Sequence, residues 1–125
     1  MRRDVLIGVG VLLALFVVGC GRAQPTMAGG KWAAVLRDPD ITLRKKAAFT
    51  LGNIGPTDPA VLPALIGALR DPDAGVRREV ILALVKCGPA AREAVPTLDE
   101  LRQQDRDPQV RAYAGRALEK LQADR

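Results

Sequence analysis

The sequence predicts an all-α fold, a short stack of helical hairpins, and three observations carry that expectation. Apolar residues make up 48% of the chain but aromatic ones only 3%, so a core must be built from Leu, Val, Ile and Ala, which suits packed helices better than a sheet. Three segments align: DPDITLRKKAAFTLGNIG from Asp38, DPDAGVRREVILALVKCG from Asp71 and DRDPQVRAYAGRALEKLQ from Asp105. Their starts lie 33 and 34 residues apart, a period expected of helical solenoids. Within each segment apolar residues recur at helical spacing. The 125 residues suffice for one small domain.

Each repeated segment begins with a capping residue. Asp40, Asp73 and Asp107 stand just before a helical pattern, where a carboxylate can accept from free N–H groups and meet the positive end of the helix dipole. Pro108 takes the first helical position, where a missing N–H costs nothing. The apolar stripe is Leu43, Ala47, Leu51 and Ile54 in the first unit. Its counterparts are Val76, Val80, Leu84 and Cys87, then Val110, Ala114, Leu118 and Leu121. Cys87 thus fills a core slot. Gly55-Pro56 and Gly88-Pro89 close the first two of these helices, Gly supplying the left-handed turn and Pro blocking continuation.

Partner helices fall between the segments, over Ala60 to Arg70 and Ala91 to Gln103, with Pro63 and Pro96 at matching places near their starts. A shortened equivalent, KWAAVLR, precedes the first unit, so the stack is expected to begin with an incomplete repeat. Trp32, Leu36, Leu65, Leu69, Leu98 and Leu101 should join the stripe residues inside. A polar end, Glu119 to Arg125, is what a terminal cap should carry.

The D-P-D turn with Arg six residues after its first Asp, followed by A-x-x-x-L-G-x-I-G, resembles the HEAT family, in particular its short bacterial repeats of the phycobilisome-lyase type. The resemblance spans residues 31 to 122. It implies a right-handed solenoid of about three hairpins (roughly 31–55, 58–88 and 91–122) within a domain of residues 31–125. It also implies that Arg44, Arg77 and Arg111 bond with Asp38, Asp71 and Asp105 across stacked turns and hold neighbouring repeats in register. An anion-binding ladder is the other use those arginines could have. A lyase's chromophore-attaching activity does not follow from the repeat alone.

The first 20 residues, MRRDVLIGVGVLLALFVVGC, read as an address. Arg2 and Arg3 precede an apolar run from Val5 to Val18, which is short for a helix that must cross about 30 Å of hydrocarbon. Val17-Val18-Gly19-Cys20 resembles the bacterial lipobox, which implies cleavage after residue 19 and a lipid on Cys20. An uncleaved anchor is the alternative. Either reading places the folded part at a membrane of the cell envelope, facing the periplasm or exterior. Removing residues 1–19 takes away two Arg and one Asp, and the formal charge falls from +5 to +4. Residues 20–30 would then be the lipidated Cys and a tether, reaching about 18 Å for ten flexible residues.

Catalytic chemistry has little to draw on. The chain contains neither His nor Ser, and two Cys cannot make a structural zinc site, so no metal or cofactor is expected. Glu79, Glu93, Asp99 and Glu100 offer no evident pair in a cleft. Nucleic acid is not expected as a partner either, given the export signal, the modest charge and the scarcity of aromatics for stacking.

A binding surface is more legible. Opposite the stripes stand Lys45, Phe49 and Asn53, then Arg78, Leu82 and Lys86, then Ala112, Arg116 and Lys120. By the HEAT resemblance this second-helix face is concave and usually polar, so Phe49 and Leu82 depart from the pattern. Rimmed by Lys45, Lys46, Arg78, Lys86, Arg116 and Lys120, they would suit an acidic protein with one apolar anchor. The sequence equally allows both to tuck against the N-terminal half-repeat or the tether. The expected function is a membrane-anchored interaction module rather than an enzyme, with an architectural subunit of a larger envelope complex as the alternative.

Overall fold

The computed structural model describes residues 27–124, which hold six α-helices and one 3₁₀ segment. The signal segment, Cys20 and the first part of the tether lie outside the described residues. Helices α1 (Met27–Val35) and α2 (Ile41–Ile54) form the first hairpin. The second pairs α3 (Val61–Ala68) with α4 (Ala74–Cys87). In the third, a 3₁₀ segment (Gly88–Ala94) leads into α5 (Val95–Gln104), which pairs with α6 (Pro108–Ala123). The second helices stack in order, α2 on α4 and α4 on α6, and the chain is an all-α solenoid.

Local chemistry sets the boundaries. Asp40 accepts from the Thr42 N–H at 2.8 Å, Asp73 from that of Val76 at 2.9 Å, and Asp107 from those of Gln109 and Val110 at 2.7 and 2.9 Å. Each therefore satisfies donors that the first helical turn leaves open. Gly55 (φ 88°) and Gly88 (φ 66°) end α2 and α4 in the left-handed region, with their N–H groups turned back to Leu51 and Val85 carbonyls.

Two boundaries differ from the sequence reading. Helix α1 begins at Met27, so residues 27–30 of the expected tether are helical. Gly29 is buried there, and a Cβ on it would collide with the carboxylate of buried Asp58. This close approach accounts for Gly29, whereas a Cβ on Gly30 would meet nothing within 4 Å. The third hairpin's first helix starts at Val95 instead of Ala91. A continuous α-helix from Ala91 would drive the Pro96 ring into the carbonyl four residues back, whereas at the second position of α5 the ring is harmless.

The core is aliphatic. Val76, Val80, Leu84, Val110 and Ala114 have no exposure, and Cys87, Leu118 and Leu121 are buried with them. Leu36, Leu65, Leu69 and Leu98 are buried, while Trp32 and Leu101 pack partly buried against them. The first stripe breaks the expectation at one end. Ala47 and Leu51 are fully buried, Ile54 is half-buried, and Leu43 is 38% exposed although its counterparts Val76 and Val110 are at 0%. Leu43 belongs to the first unit, which among the described residues has no preceding second helix to cover it.

Candidate functional site

Two arrangements of polar side chains stand out, one along the turns and one on the second helices. In the turns, Arg44 donates from Nε and Nη2 to the Asp71 carboxylate at 2.9 and 3.2 Å, and from Nη1 to the Asp38 and Pro39 carbonyls at 2.8 and 3.1 Å. Arg77 repeats the pattern one unit later, with Asp105 at 2.8 Å from both nitrogens and the Asp71 and Pro72 carbonyls at 2.7 and 3.1 Å. Each guanidinium thus bonds its own turn and the carboxylate of the following one. The pairs are largely buried, with side-chain exposures of 12% and 6% for Arg44–Asp71 and 13% and 5% for Arg77–Asp105. The carboxylates are further occupied by N–H groups two residues on, at 2.9 Å each for Asp38, Asp71 and Asp105. Arg44 and Arg77 each spend four of their five N–H donors in this way, which commits them to the turns.

The ladder has ends. Arg111 donates from Nη1 to the Asp105 and Arg106 carbonyls at 2.6 and 3.3 Å and meets no carboxylate among the described residues. Asp38 receives no arginine among them.

The second-helix face carries Phe49 at 53% and Leu82 at 43% exposure, in matching slots of α2 and α4. Phe49 is not covered by α1. The contact that α2 does make there is Lys46 over the Trp32 ring, 5.8 Å from its centroid, which draws Lys46 away from the rim. Lys86 sits 4.4 Å above the Phe49 ring and donates to Asn53 Oδ1 at 2.9 Å, so it bridges the two units beside the exposed ring. The same slots allow α2 and α4 to come close, because Gly52 has no Cβ to strike Ala83, whose Cα would lie 2.9 Å away.

Beside Leu82 a groove of about 330 Å³ opens between α4 and α6, lined by Ile81, Leu82, Val85, Tyr113, Ala117 and the stems of Arg116 and Lys120. Arg116 lies 5.0 Å over the Tyr113 ring. Arg78 approaches Asp107 at 3.8 Å, and Lys45 lies over Gly75. Lys45 and Lys120 make no ion pair or hydrogen bond among the described residues. Tyr113 and the groove were missed by the sequence reading. The signal was present, since Tyr113 stands where the earlier units carry Lys46 and Glu79, an aromatic in a column of charges.

Several other titratable groups are committed elsewhere. Asp99 accepts from Arg102 and Gln103 at 2.7 Å each, and Glu100 pairs with Arg70 at 3.1 Å, all on the surface. Asp107 is held below the ordinary carboxylate range chiefly by the Val110 N–H, with Gln109, Arg78 and Arg77 adding to the effect. Cys87 is a free, buried thiol whose pKa is raised by loss of solvent, which makes it a packing group. Among the described residues no three potential metal ligands cluster.

These features agree with comparison to known proteins. A family profile described as HEAT repeats matches residues 31–119. No curated protein and no solved structure matches the chain significantly. The period, the capped turns, the inter-unit arginines and the family match lead to one conclusion: the chain belongs to the HEAT-repeat family.

Proposed function

We propose that this protein is a membrane-tethered interaction module of a bacterial cell envelope that grips an acidic protein partner through the face bearing Phe49 and Leu82. HEAT repeats generally mediate protein–protein interaction and are typically non-catalytic scaffolds. The observation that carries the finer reading is the pair of half-exposed apolar side chains, at 53% and 43%, set one repeat apart beside the cations of Lys86, Arg116 and Lys120. An apolar side chain of the partner would enter the groove between α4 and α6, while its carboxylates meet the rim. The export signal of Arg2, Arg3 and the apolar run, with Cys20 at its end, supports the membrane tether. Among the described residues no helix is long and apolar enough to cross a membrane.

A photo-crosslinking residue at position 82, activated in intact membranes, tests this reading against a control at exposed Glu93 on the 3₁₀ segment. A defined protein adduct from position 82 alone is expected. The double change Phe49→Glu and Leu82→Glu should weaken binding of the captured partner at least ~thirtyfold. Equal capture from both positions, or full-strength binding by the double variant, would overturn the assignment.

A further inference from the structure

We propose that copies of this protein stack head to tail, Arg111 of one copy closing on Asp38 of the next. The argument starts from the direction of the ladder. Arg44 reaches Asp71 and Arg77 reaches Asp105, so every internal junction is made by an arginine on a second helix and a carboxylate in the following turn. The stack therefore ends in unlike halves of the same bond. At one end Asp38 keeps the turn geometry of Asp71 and Asp105, with its Oδ1 accepting the Asp40 N–H at 2.9 Å, but it has no guanidinium among the described residues. At the other end Arg111 is oriented by the Asp105 carbonyl at 2.6 Å, as Arg77 is by the Asp71 carbonyl at 2.7 Å, and its Nε and Nη2 have no carboxylate among the described residues.

Apolar surface accompanies the open carboxylate. Ile41 and Leu43 are 44% and 38% exposed, whereas Val76 and Val110, in the slot of Leu43, are fully buried. Among the described residues no second helix precedes this end. Helix α6 can supply it. Gly115 holds the slot of Ile81, which α6 covers in the internal junction, and exposed Ala112 lies one turn before it. Glu119 replaces Val85, which makes the new junction more polar than the internal ones and weaker in salt. The occupant is thus another copy of this chain, placed by the operation that relates α2 to α4 and α4 to α6. Such a contact is heterologous and does not close on itself, so copies would add in a row. The proposal is independent of the partner-binding face.

Sedimentation of the full chain in detergent, with the single variants Asp38→Arg and Arg111→Asp, tests it. The wild-type chain should show concentration-dependent, open-ended association. Each variant alone places like charges at the junction and should stay monomeric. In an equimolar mixture alternating copies meet opposite charges at every junction, the native pair at one and its charge-swapped counterpart at the next, and association should return. Asp38→Asn keeps an acceptor for the Asp40 N–H and should preserve helicity while weakening association roughly tenfold. A monomeric wild-type chain at high concentration, unaltered association by the variants, or a mixture that stays monomeric would overturn the proposal.

Discussion

Arg77 and Asp105 join the second and third units through two parallel hydrogen bonds of 2.8 Å, in a site where their side chains are 13% and 5% exposed. The fork fits a carboxylate edge on, and its third nitrogen fastens the turn it springs from. Removing the guanidinium leaves a nearly buried carboxylate without its counter-charge. Arg77→Ala should therefore destabilise the protein by about 3 kcal/mol in urea unfolding. Arg77→Lys should recover only part of that loss, because an ammonium cannot bridge both oxygens and the two carbonyls. Arg111→Ala, which breaks no ion pair among the described residues, should cost about 1 kcal/mol.

Neighbouring residues of α4 should respond in opposite ways. Leu82 is 43% exposed and Ile81 only 1%. Leu82→Glu should leave the urea midpoint within about 0.5 kcal/mol of wild type, and Phe49→Glu likewise. Ile81→Glu should lose at least about 3 kcal/mol, since its carboxylate would be buried without a partner. Equal costs at positions 81 and 82 would show that the second-helix face is covered.

Glycine-to-alanine changes separate close packing from helix propensity. At Gly67 in α3 a Cβ meets nothing within 4 Å, so Gly67→Ala should stabilise by about 0.5–1 kcal/mol. At Gly52 the same methyl would press on the Ala83 backbone, and Gly52→Ala should destabilise by roughly 1–3 kcal/mol despite its better propensity. Thermal melts of the two variants give the comparison directly.

Acid should weaken the start of α6. The folded-state pKa of Asp107 lies below its unfolded value, so its contribution is present above the ordinary carboxylate range and fades as pH falls through the lower folded value. Asp107→Asn retains a capping oxygen that does not titrate. The urea midpoints of the two proteins should differ at neutral pH and converge as the pH falls below the carboxylate range.

The anchor has its own test. Cys20→Ala should abolish incorporation of labelled fatty acid and leave an unprocessed precursor on gels. Processing at the same site with unchanged membrane association would remove the lipoprotein assignment. Cys87, buried and with a raised pKa, should react with thiol reagents only on unfolding, so native labelling should detect only chains whose Cys20 carries no lipid.

The parts of this architecture that sequence reveals are those governed by neighbours along the chain. The caps at Asp40, Asp73 and Asp107, the glycine stops at Gly55 and Gly88, and the stripes all follow from spacing. The start of α1 does not, because Gly29 and Gly30 disfavour a helix until Asp58 is brought against it. Leu43 carries the same stripe signal as Val76, yet it is exposed because no described unit stands before its own. The six positions that relate Asp38 to Arg44 mark the ladder without its direction. That Arg44 takes its carboxylate from Asp71 depends on how far one unit steps past the last. The groove beside Leu82 also forms only when α4 and α6 meet.

Helix α4 touches α2 and α6 on either side and α3 and the 3₁₀ segment besides, whereas α1 and α6 lie at the two ends of the described stack. Opening should therefore be graded. Amides of α1 and the last turns of α6 should exchange with solvent through small local fluctuations, and those around Val80 and Leu84 only when the whole chain unravels. Because contacts join only adjacent units, folding needs no distant segments to find each other, and it should spread quickly outward from the middle hairpin.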